Sequence, residues 1–198
     1  MKYKNERTTS VWASIIMICL FACLLRGPAK AEDWQDVANY VKQYQGKWDV
    51  QLTARATEIR QLTFHGTMVS NVIGDRWVLS DLTTFGGQGF AGHEVLGYDG
   101  KKWVAVWVDD TEPHMFIDEG ERTKTGVKLE SHNVNLKKRE GASTLPLVDL
   151  RTDEWNGPDQ YSSHFFRKNP DGSLDEFMTI TLRRVAPGAQ KIAADKLQ

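Results

Sequence analysis

The sequence predicts an all-β protein, a single antiparallel β-barrel of about ten strands preceded by one short helix. The main observation is the stretch from Gly66 to Asp110, in which runs rich in Val, Leu, Phe, Thr and Trp are cut by the turn residues Gly74-Asp75, Gly86-Gly87-Gln88-Gly89 and Asp99-Gly100. This spacing is typical of consecutive antiparallel strands joined by tight turns. No helical crossover pattern follows, and closure into a barrel is the simplest way to protect the edges of such a meander.

The first 31 residues have the pattern of a secretory signal peptide. Basic residues between Lys2 and Arg7 precede an apolar run from Val11 to Leu25, and Ala29-Lys30-Ala31 fits a cleavage site after Ala31. The run has about 15 residues, whereas a membrane-spanning helix needs roughly 20. We therefore expect a secreted or periplasmic protein with no stable membrane anchor after cleavage. Lipidation at Cys23 is the alternative.

The remaining chain has the size of one domain. We predict a barrel domain over residues 32–185 and a flexible tail over 186–198. The removed segment holds five basic residues and one acidic residue, so the 167 residues that remain carry 20 basic and 25 acidic side chains and a net charge of −5. This charge argues against nucleic acid as a partner. Both cysteines lie in the removed segment, so we expect neither a disulfide nor a thiol nucleophile.

The elements can be read in order along the chain. Residues 33–44 place Trp34, Val37, Val41 and Tyr44 at helical spacing, with Asp33 as the N-cap, and the helix should end before Gly46. Strict alternation then predicts the first strand over residues 47–53. The further strands are predicted at 59–73, with a bulge or sharp bend at Gly66, and at 76–84, 90–99, 102–110, 114–119, 126–132, 145–151, 161–168 and 174–184.

An ordered set of motifs runs through this pattern. Gly46-x-Trp48 is followed by Leu96-Gly97-Tyr98-Asp99, by Trp107-Val108-Asp109 and by Asn169-Pro170-Asp171-Gly172, which leads to Met178. Together they resemble a bacterial family, catalogued as a domain of unknown function, that is similar to lipocalins and belongs with calycin-type barrels. The resemblance covers roughly residues 44–184, and it implies the barrel fold but no activity.

Two positions depart from that family. The family tends to carry serine where this chain has Asp110, and an acidic residue where this chain has Thr179. Any role of these positions in relatives is therefore not carried over to this chain.

The strand over residues 102–110 offers the best candidate lining for a ligand. Alternation places Trp103, Trp107 and Asp109 on one face, where the aromatic rings suit a flat apolar molecule and Asp109 supplies one polar contact. The alternative is that both tryptophans fill the core and Asp109 caps the following turn. Trp77, His93 and Met178 complete the set of predicted ligand-binding residues.

An acid–base site is the second possibility. Alternation over residues 174–184 is expected to place Glu176 and Met178 inside, with Glu176 near the barrel mouth, where burial would raise its pKa. The alternative is a solvated Glu176 at the end of its strand. An isomerase, hydratase or lyase would use Asp109, Glu176 or His93 as acid and base. Arg151 is either the partner of an acidic ligand or a solvated strand-end arginine.

Other chemistries have little support in the sequence. The five histidines show no metal-ligand spacing, and a metal site would need distant strands to bring His93 and His114 together, so we predict no metal and no cofactor. No serine has the Gly-x-Ser-x-Gly context of a hydrolase. We therefore expect an exported protein that binds a small, largely apolar or aromatic molecule. The alternatives are the barrel enzyme and a structural or interaction protein of the envelope.

Overall fold

The computed structural model describes residues 32–57, 60–85, 89–111, 115–132 and 148–186. Within these ranges the chain forms the helix α1, Trp34–Lys42, and ten strands. The predicted signal peptide, the tail from residue 187 and His114 lie outside the described residues. The strands are β1 Gly46–Thr57, β2 Arg60–Ile73, β3 Trp77–Phe85, β4 Ala91–Tyr98, β5 Trp103–Asp109, β6 Phe116–Arg122, β7 Gly126–Ser131, β8 Leu150–Trp155, β9 Gln160–Lys168 and β10 Leu174–Arg184.

The ten strands form one closed antiparallel barrel, which confirms the predicted fold class. Each strand pairs with its neighbours in sequence, and β1 closes the ring by pairing with both β2 and β10. Trp48 of β1, for example, lies opposite Met68 on one side and Arg184 on the other. Because every strand is paired on both sides, alternate residues around the whole ring face a common interior.

The helix α1 lies at the end of the barrel where β1 begins, and we call this the helix end. The Asp33 side chain caps α1 by accepting a hydrogen bond from the backbone N–H of Gln35 at 2.7 Å, as the sequence predicts. The helix buries Val37, Tyr40 and Val41. In the described part of the chain, no helix is long and apolar enough to cross a membrane.

An aromatic cluster seals the helix end. Its members are buried, apart from the partly buried Trp155, and they meet edge to face or tilted, with ring centroids 4.9–6.0 Å apart. The Trp48 indole Nε1 donates to the carbonyl of Tyr44 at 2.9 Å, so this polar atom is satisfied inside the cluster. The Arg184 guanidinium covers the Trp48 ring at 4.1 Å. The cluster consists of Tyr40, Tyr44, Trp48, Tyr98, Trp103, Trp155 and Tyr161.

Strand β8 lies further along the chain than predicted. The apolar run before Asp149 favoured a strand over residues 145–151, whereas β8 spans Leu150–Trp155 and residues 145–147 lie outside the described ranges. The inward-facing residues of β8 include Arg151 and Asp153, which lie opposite Leu129 and Val127 of β7. A strand with a charged inner face has no hydrophobic alternation, so the sequence pattern did not indicate the part of β8 beyond Arg151.

The structure also corrects the interpretation of Gly66 as a bulge. Gly66 sits in continuous register, opposite Val50 of β1 and Thr84 of β3. The requirement for glycine is space, since a Cβ on Gly66 would lie 2.2 Å from the carbonyl oxygen of Thr83. The β1–β2 irregularity instead lies between Arg55 and Thr57.

Replacing Gly66 with alanine should lower the free energy of unfolding by about 1–3 kcal/mol, because the added methyl group must push two paired backbones apart. Urea denaturation followed by tryptophan fluorescence measures the change. The control is Thr67→Ala at the exposed neighbouring position, where the change should stay within about 0.5 kcal/mol. Equal effects of the two substitutions would contradict this role for Gly66.

Candidate functional site

The barrel interior differs between its two ends. At the helix end the inward side chains are almost completely buried, as Trp48 and Trp103 are at 0% exposure. At the opposite end, which we call the far end, the inward side chains of Phe64, Phe165 and Met178 remain partly exposed. Register confirms that Met178 and Phe165 face each other across the β9–β10 pair. Within the described ranges, the far end therefore presents apolar and aromatic side chains that are only partly buried.

Trp107 forms one wall of the far end, and its indole is held in place from two sides. Its Nε1 donates to the Asp109 carboxylate at 2.6 Å. Its ring lies over Gly92 of β4, where an added Cβ would be 2.2 Å from the ring. Asp109 also accepts hydrogen bonds from the backbone N–H and hydroxyl of Thr111, at 2.8 and 2.6 Å. Asp109 therefore caps the turn, as the alternative interpretation predicts, and orients Trp107 as well.

Trp103 shares the inward face of β5 but belongs to the aromatic cluster of the helix end. Its ring centroid lies 5.0 Å from that of Tyr40, and the side chain is fully buried. Trp103 thus fills the core at the helix end, as the alternative interpretation predicts. Its role in ligand binding stays a prediction.

Trp77 and His93 do not face the interior. The buried, inward positions of β3 and β4 are the alternate ones, such as Val78 and Glu94. Trp77 packs across Gly97 on the other face of the sheet, and His93 is 62% exposed and bonded to Asp81 at 2.6 Å. The predicted interior roles of both residues are therefore wrong.

Glu176 also lies outside the interior, because β10 contains a bulge that the sequence analysis did not predict. The register with β9 shifts between Glu176 and Met178, which reverses the alternation before Met178. The Glu176 side chain is 42% exposed and meets His164 at 2.8 Å and Thr179 at 2.5 Å. Met178, beyond the bulge, keeps its predicted inward position opposite Ala54.

A buried ionic cluster occupies the interior between the aromatic cluster and the far end. Arg151 forms a two-pronged bond with Asp153, with Nε and Nη2 each 2.8 Å from a carboxylate oxygen. Its Nη1 donates to the Glu94 carboxylate. Arg151 is 6% exposed, Asp153 is 0% exposed and Glu94 is 8% exposed. The prediction of a solvated strand-end arginine is therefore wrong for Arg151. Its partners in the structure are carboxylates of the chain itself, and pairing with an acidic ligand stays a prediction.

Asp118 adds a further carboxylate to this interior. It is 7% exposed and accepts a hydrogen bond from the Ser131 hydroxyl at 2.5 Å. On the other side of Glu94, Ser80 lies directly opposite it on β3 and bonds Ser70 at 2.8 Å. The signal for Glu94 was present in the sequence, since alternation places it on the face opposite His93. No sequence pattern indicated its ion pair with Arg151, which lies 57 residues away.

Burial sets the protonation behaviour of these groups. Burial raises the pKa of Glu94, and the charge of Arg151 only partly offsets this effect. Burial likewise raises the pKa of Asp118, against the hydrogen bond from Ser131. Burial acts to lower the pKa of Arg151, but Asp153 and Glu94 outweigh it and raise that pKa well above its ordinary range. Arg151 therefore remains a fixed cation, whereas Glu94 and Asp118 can exchange protons nearer neutrality.

The geometry for a metal ion is not found in the described ranges. No three side chains of His, Cys, Asp or Glu group together there as a metal site would require. His93 lies on the outer face with Asp81, and His114, the other candidate, lies outside the described residues.

Comparison with known proteins finds a matching family and several solved structures of similar fold. The family model described as "Protein of unknown function (DUF1579)" matches residues 35–184. The crystal structure of Rv2717c from M. tuberculosis aligns with a TM-score of 0.58 and 14% identity, over 76% of this chain and 98% of that chain, and shows likeness of fold alone. A redesigned β-barrel aligns at a TM-score of 0.38 and 12% identity, over 74% and 95%. No curated protein matches.

Removing the central cation should destabilise the barrel strongly. Arg151→Met should lower the free energy of unfolding by about 3–5 kcal/mol, because Glu94 and Asp153 would stay buried without a compensating charge. Urea denaturation gives the value. The matched control is Arg167→Met, whose side chain is 47% exposed beside Asp175, and here the loss should be under about 1 kcal/mol. A loss below 1 kcal/mol for Arg151→Met would show that the cluster is not a coupled ionic unit.

The raised pKa of Glu94 predicts a pH-dependent stability. The folded protein binds the carboxyl proton of Glu94 more tightly than the unfolded chain does. The stabilisation that this proton provides is therefore present below the unfolded pKa of about 4.3 and is lost as pH rises through the folded pKa. Glutamine stays neutral throughout. The free energy of unfolding of Glu94→Gln, relative to that of the unmodified protein, should therefore rise from about pH 4 towards neutrality.

The control for this measurement is Glu176→Gln, where the sign is reversed. Burial acts to raise the pKa of Glu176, but hydrogen bonds from Thr179 and His164 outweigh it and lower that pKa. Its contribution is present above the unfolded pKa and is lost as pH falls. The relative stability of Glu176→Gln should therefore fall as pH rises from the folded pKa to about 4.3, and it should stay constant from there to neutrality. Parallel slopes for the two variants would refute the assignment for Glu94.

Proposed function

The chain belongs to the DUF1579 family, and we propose that it is an exported protein whose barrel binds a small, largely apolar or aromatic molecule at the far end of the interior. One observation carries the proposal. The aromatic cluster at the helix end is buried except for the partly buried Trp155, whereas Phe64, Phe165 and Met178 at the far end are all partly exposed. Binding sites for small molecules usually combine apolar and aromatic walls with a few placed polar groups, and the side chains at the far end support the proposal in this respect.

The wall of the proposed site is rigid before a ligand arrives. Asp109 fixes the Trp107 ring by a hydrogen bond, and Gly92 lets the ring lie flat against β4. Arg151 lies 5.6 Å from the centre of the Phe165 ring, which faces Met178. A wall that is already ordered saves the entropy that binding would otherwise lose, and apolar contact contributes about 25 cal/mol per Å² buried.

An acid–base enzyme is the second candidate, and the observation in its favour is Glu94. This carboxyl is inward-facing, buried and adjacent to a fixed cation, and burial shifts its pKa upwards, which is the direction that a general acid or base needs. Glu176 and His93, which the sequence favoured, lie on the outer surface. Asp109 faces inward but is bonded to Trp107 and Thr111. A catalytic version of the site would therefore use Glu94.

Native mass spectrometry of protein purified from its source separates the two candidates. A molecule that copurifies and is recovered unchanged after incubation with fresh protein supports binding alone. A molecule that the protein converts, at a rate that falls about 10²–10⁴-fold in Glu94→Gln, establishes the enzyme.

Binding can also be measured directly with the neutral fluorescent probe N-phenyl-1-naphthylamine. Trp107→Ala should weaken its binding by about tenfold or more, because the probe loses an aromatic wall worth at least about 1.4 kcal/mol. Fluorescence titration gives the dissociation constants, and circular dichroism confirms that each variant is folded.

The matched control is Trp77→Ala, which removes the same side chain from the outer face of the barrel. It should change probe affinity by less than about twofold, a difference of roughly 0.4 kcal/mol. Met178→Ala, at an inward position of the far end, should weaken binding as Trp107→Ala does. Equal affinities for the Trp107 and Trp77 variants would locate binding elsewhere.

A further inference from the structure

We propose that the ligand of this barrel carries a cationic head group with several N–H donors, such as a primary amine or an amidine, and that Glu94 and Asp118 receive it. This inference rests on the proposed binding function and specifies the chemistry of its ligand. It follows from how the hydrogen bonds of the ionic cluster are distributed among the described residues.

The only cation of the cluster is already committed. Each of the three guanidinium nitrogens of Arg151 donates to a carboxylate, two to Asp153 and one to Glu94. An anionic ligand would have to compete with these internal carboxylates for the guanidinium. Breaking a buried, two-pronged pair of this kind leaves charges uncompensated and is strongly unfavourable.

The acceptors, in contrast, exceed the donors. Glu94 uses Oε1 for Arg151, and Asp118 uses Oδ1 for the Ser131 hydroxyl. Among the described residues, none donates a hydrogen bond to Glu94 Oε2 or to Asp118 Oδ2, and Asp118 has no ion-pair partner. Both residues are more than nine-tenths buried, at 8% and 7% exposure. Trp155 Nε1, and neither of these two oxygens, is the fully buried polar atom that lacks a partner in the described part of the chain. The N–H donors of a ligand would add hydrogen bonds to charged acceptors, which are worth about 1.5–3 kcal/mol each.

The charge balance points in the same direction. The cluster contains one guanidinium and the three carboxylates of Glu94, Asp118 and Asp153, which leaves an excess of negative charge when all are ionised. At the rim of the far end, Arg55 and Arg167 share Asp175, and their side chains are 39% and 47% exposed. Water and salt screen these rim charges much more than the buried ones. The interior therefore favours a cation over an anion.

The aromatic wall lies beside these acceptors. Trp107 is the direct cross-strand neighbour of Glu94, and Asp118 lies two residues further along β6 than Phe116, which faces Trp107 from the other side. Cross-strand neighbours bring their Cβ atoms to about 4.5–5.5 Å. An aromatic body resting against Trp107 would thus hold a short-armed head group within reach of Glu94.

Three probes with one naphthalene body test the inference, namely 2-naphthylmethylamine as its ammonium, 2-naphthylmethanol and 2-naphthoate. Isothermal titration calorimetry at neutral pH should find that the ammonium binds about tenfold or more tighter than the naphthoate, with the alcohol between them, since hydrogen bonds to charged groups are worth about 1.5–3 kcal/mol. Glu94→Gln and Asp118→Asn should each reduce this ratio to below about threefold.

Asp81→Asn is the matched control, because Asp81 is an exposed carboxylate on the outer face, bonded to His93. It should leave the ratio unchanged. Thermal melts verify that the variants fold, and if one of the two interior variants does not, the other and the probe ratio of the unmodified protein decide. Tighter or equal binding of the naphthoate or the alcohol overturns the head-group inference while the binding function stands. Failure of all three probes to bind overturns the binding function and the inference with it.

Discussion

Closure of the barrel through β1 is the constraint on which the other features of the interior depend. Once β1 pairs with both β2 and β10, alternate residues of every strand must face inward, whatever their polarity. On β8 this rule places Arg151 and Asp153 inside, and on β4 it places Glu94 inside. These charges cannot leave without a change of register, which would turn every apolar inward residue of the strand outward. The ion pairs of the cluster are the local solution to this conflict.

The ion pairs of this buried cluster contribute less to the stability of the protein than their number of hydrogen bonds suggests. Taking three charged groups out of water is expensive, and their mutual attraction repays the desolvation only when the geometry is good. The compensation lies next to the ionic cluster, where aromatic side chains pack closely. Trp48 and Tyr40 hold their polar atoms in hydrogen bonds there, whereas Trp155 Nε1 is buried without a partner among the described residues. The buried ionic cluster departs from the rule that core residues are apolar. Such departures are expected at functional sites.

The sequence was sufficient for the fold, because local signals carry it. Turn residues and alternation predicted the antiparallel barrel and the shared inward face of Trp107 and Asp109. The site was predicted less well, for two physical reasons. The β10 bulge reverses the alternation between Met178 and Glu176, and no residue type marks it. The bond from Arg151 to Glu94 joins strands far apart in sequence, and such a contact leaves no periodic signal. Trp77 and His93 lie on strands whose two faces both mix polar and apolar residues, so alternation alone did not show which face lies inside.

Binding and catalysis make different demands on Glu94, and the surrounding contacts favour the first. A general base must move between protonated and ionised forms during turnover, with its orientation preserved. Glu94 is held on one oxygen by Arg151, which favours the ionised form, while burial favours the protonated one. A cationic group on the second oxygen would shift this balance towards the carboxylate and complete its hydrogen bonds. The same contact would complete those of Asp118, whose single partner is a neutral hydroxyl among the described residues. A bound cationic donor would therefore hydrogen-bond to both carboxylates at once.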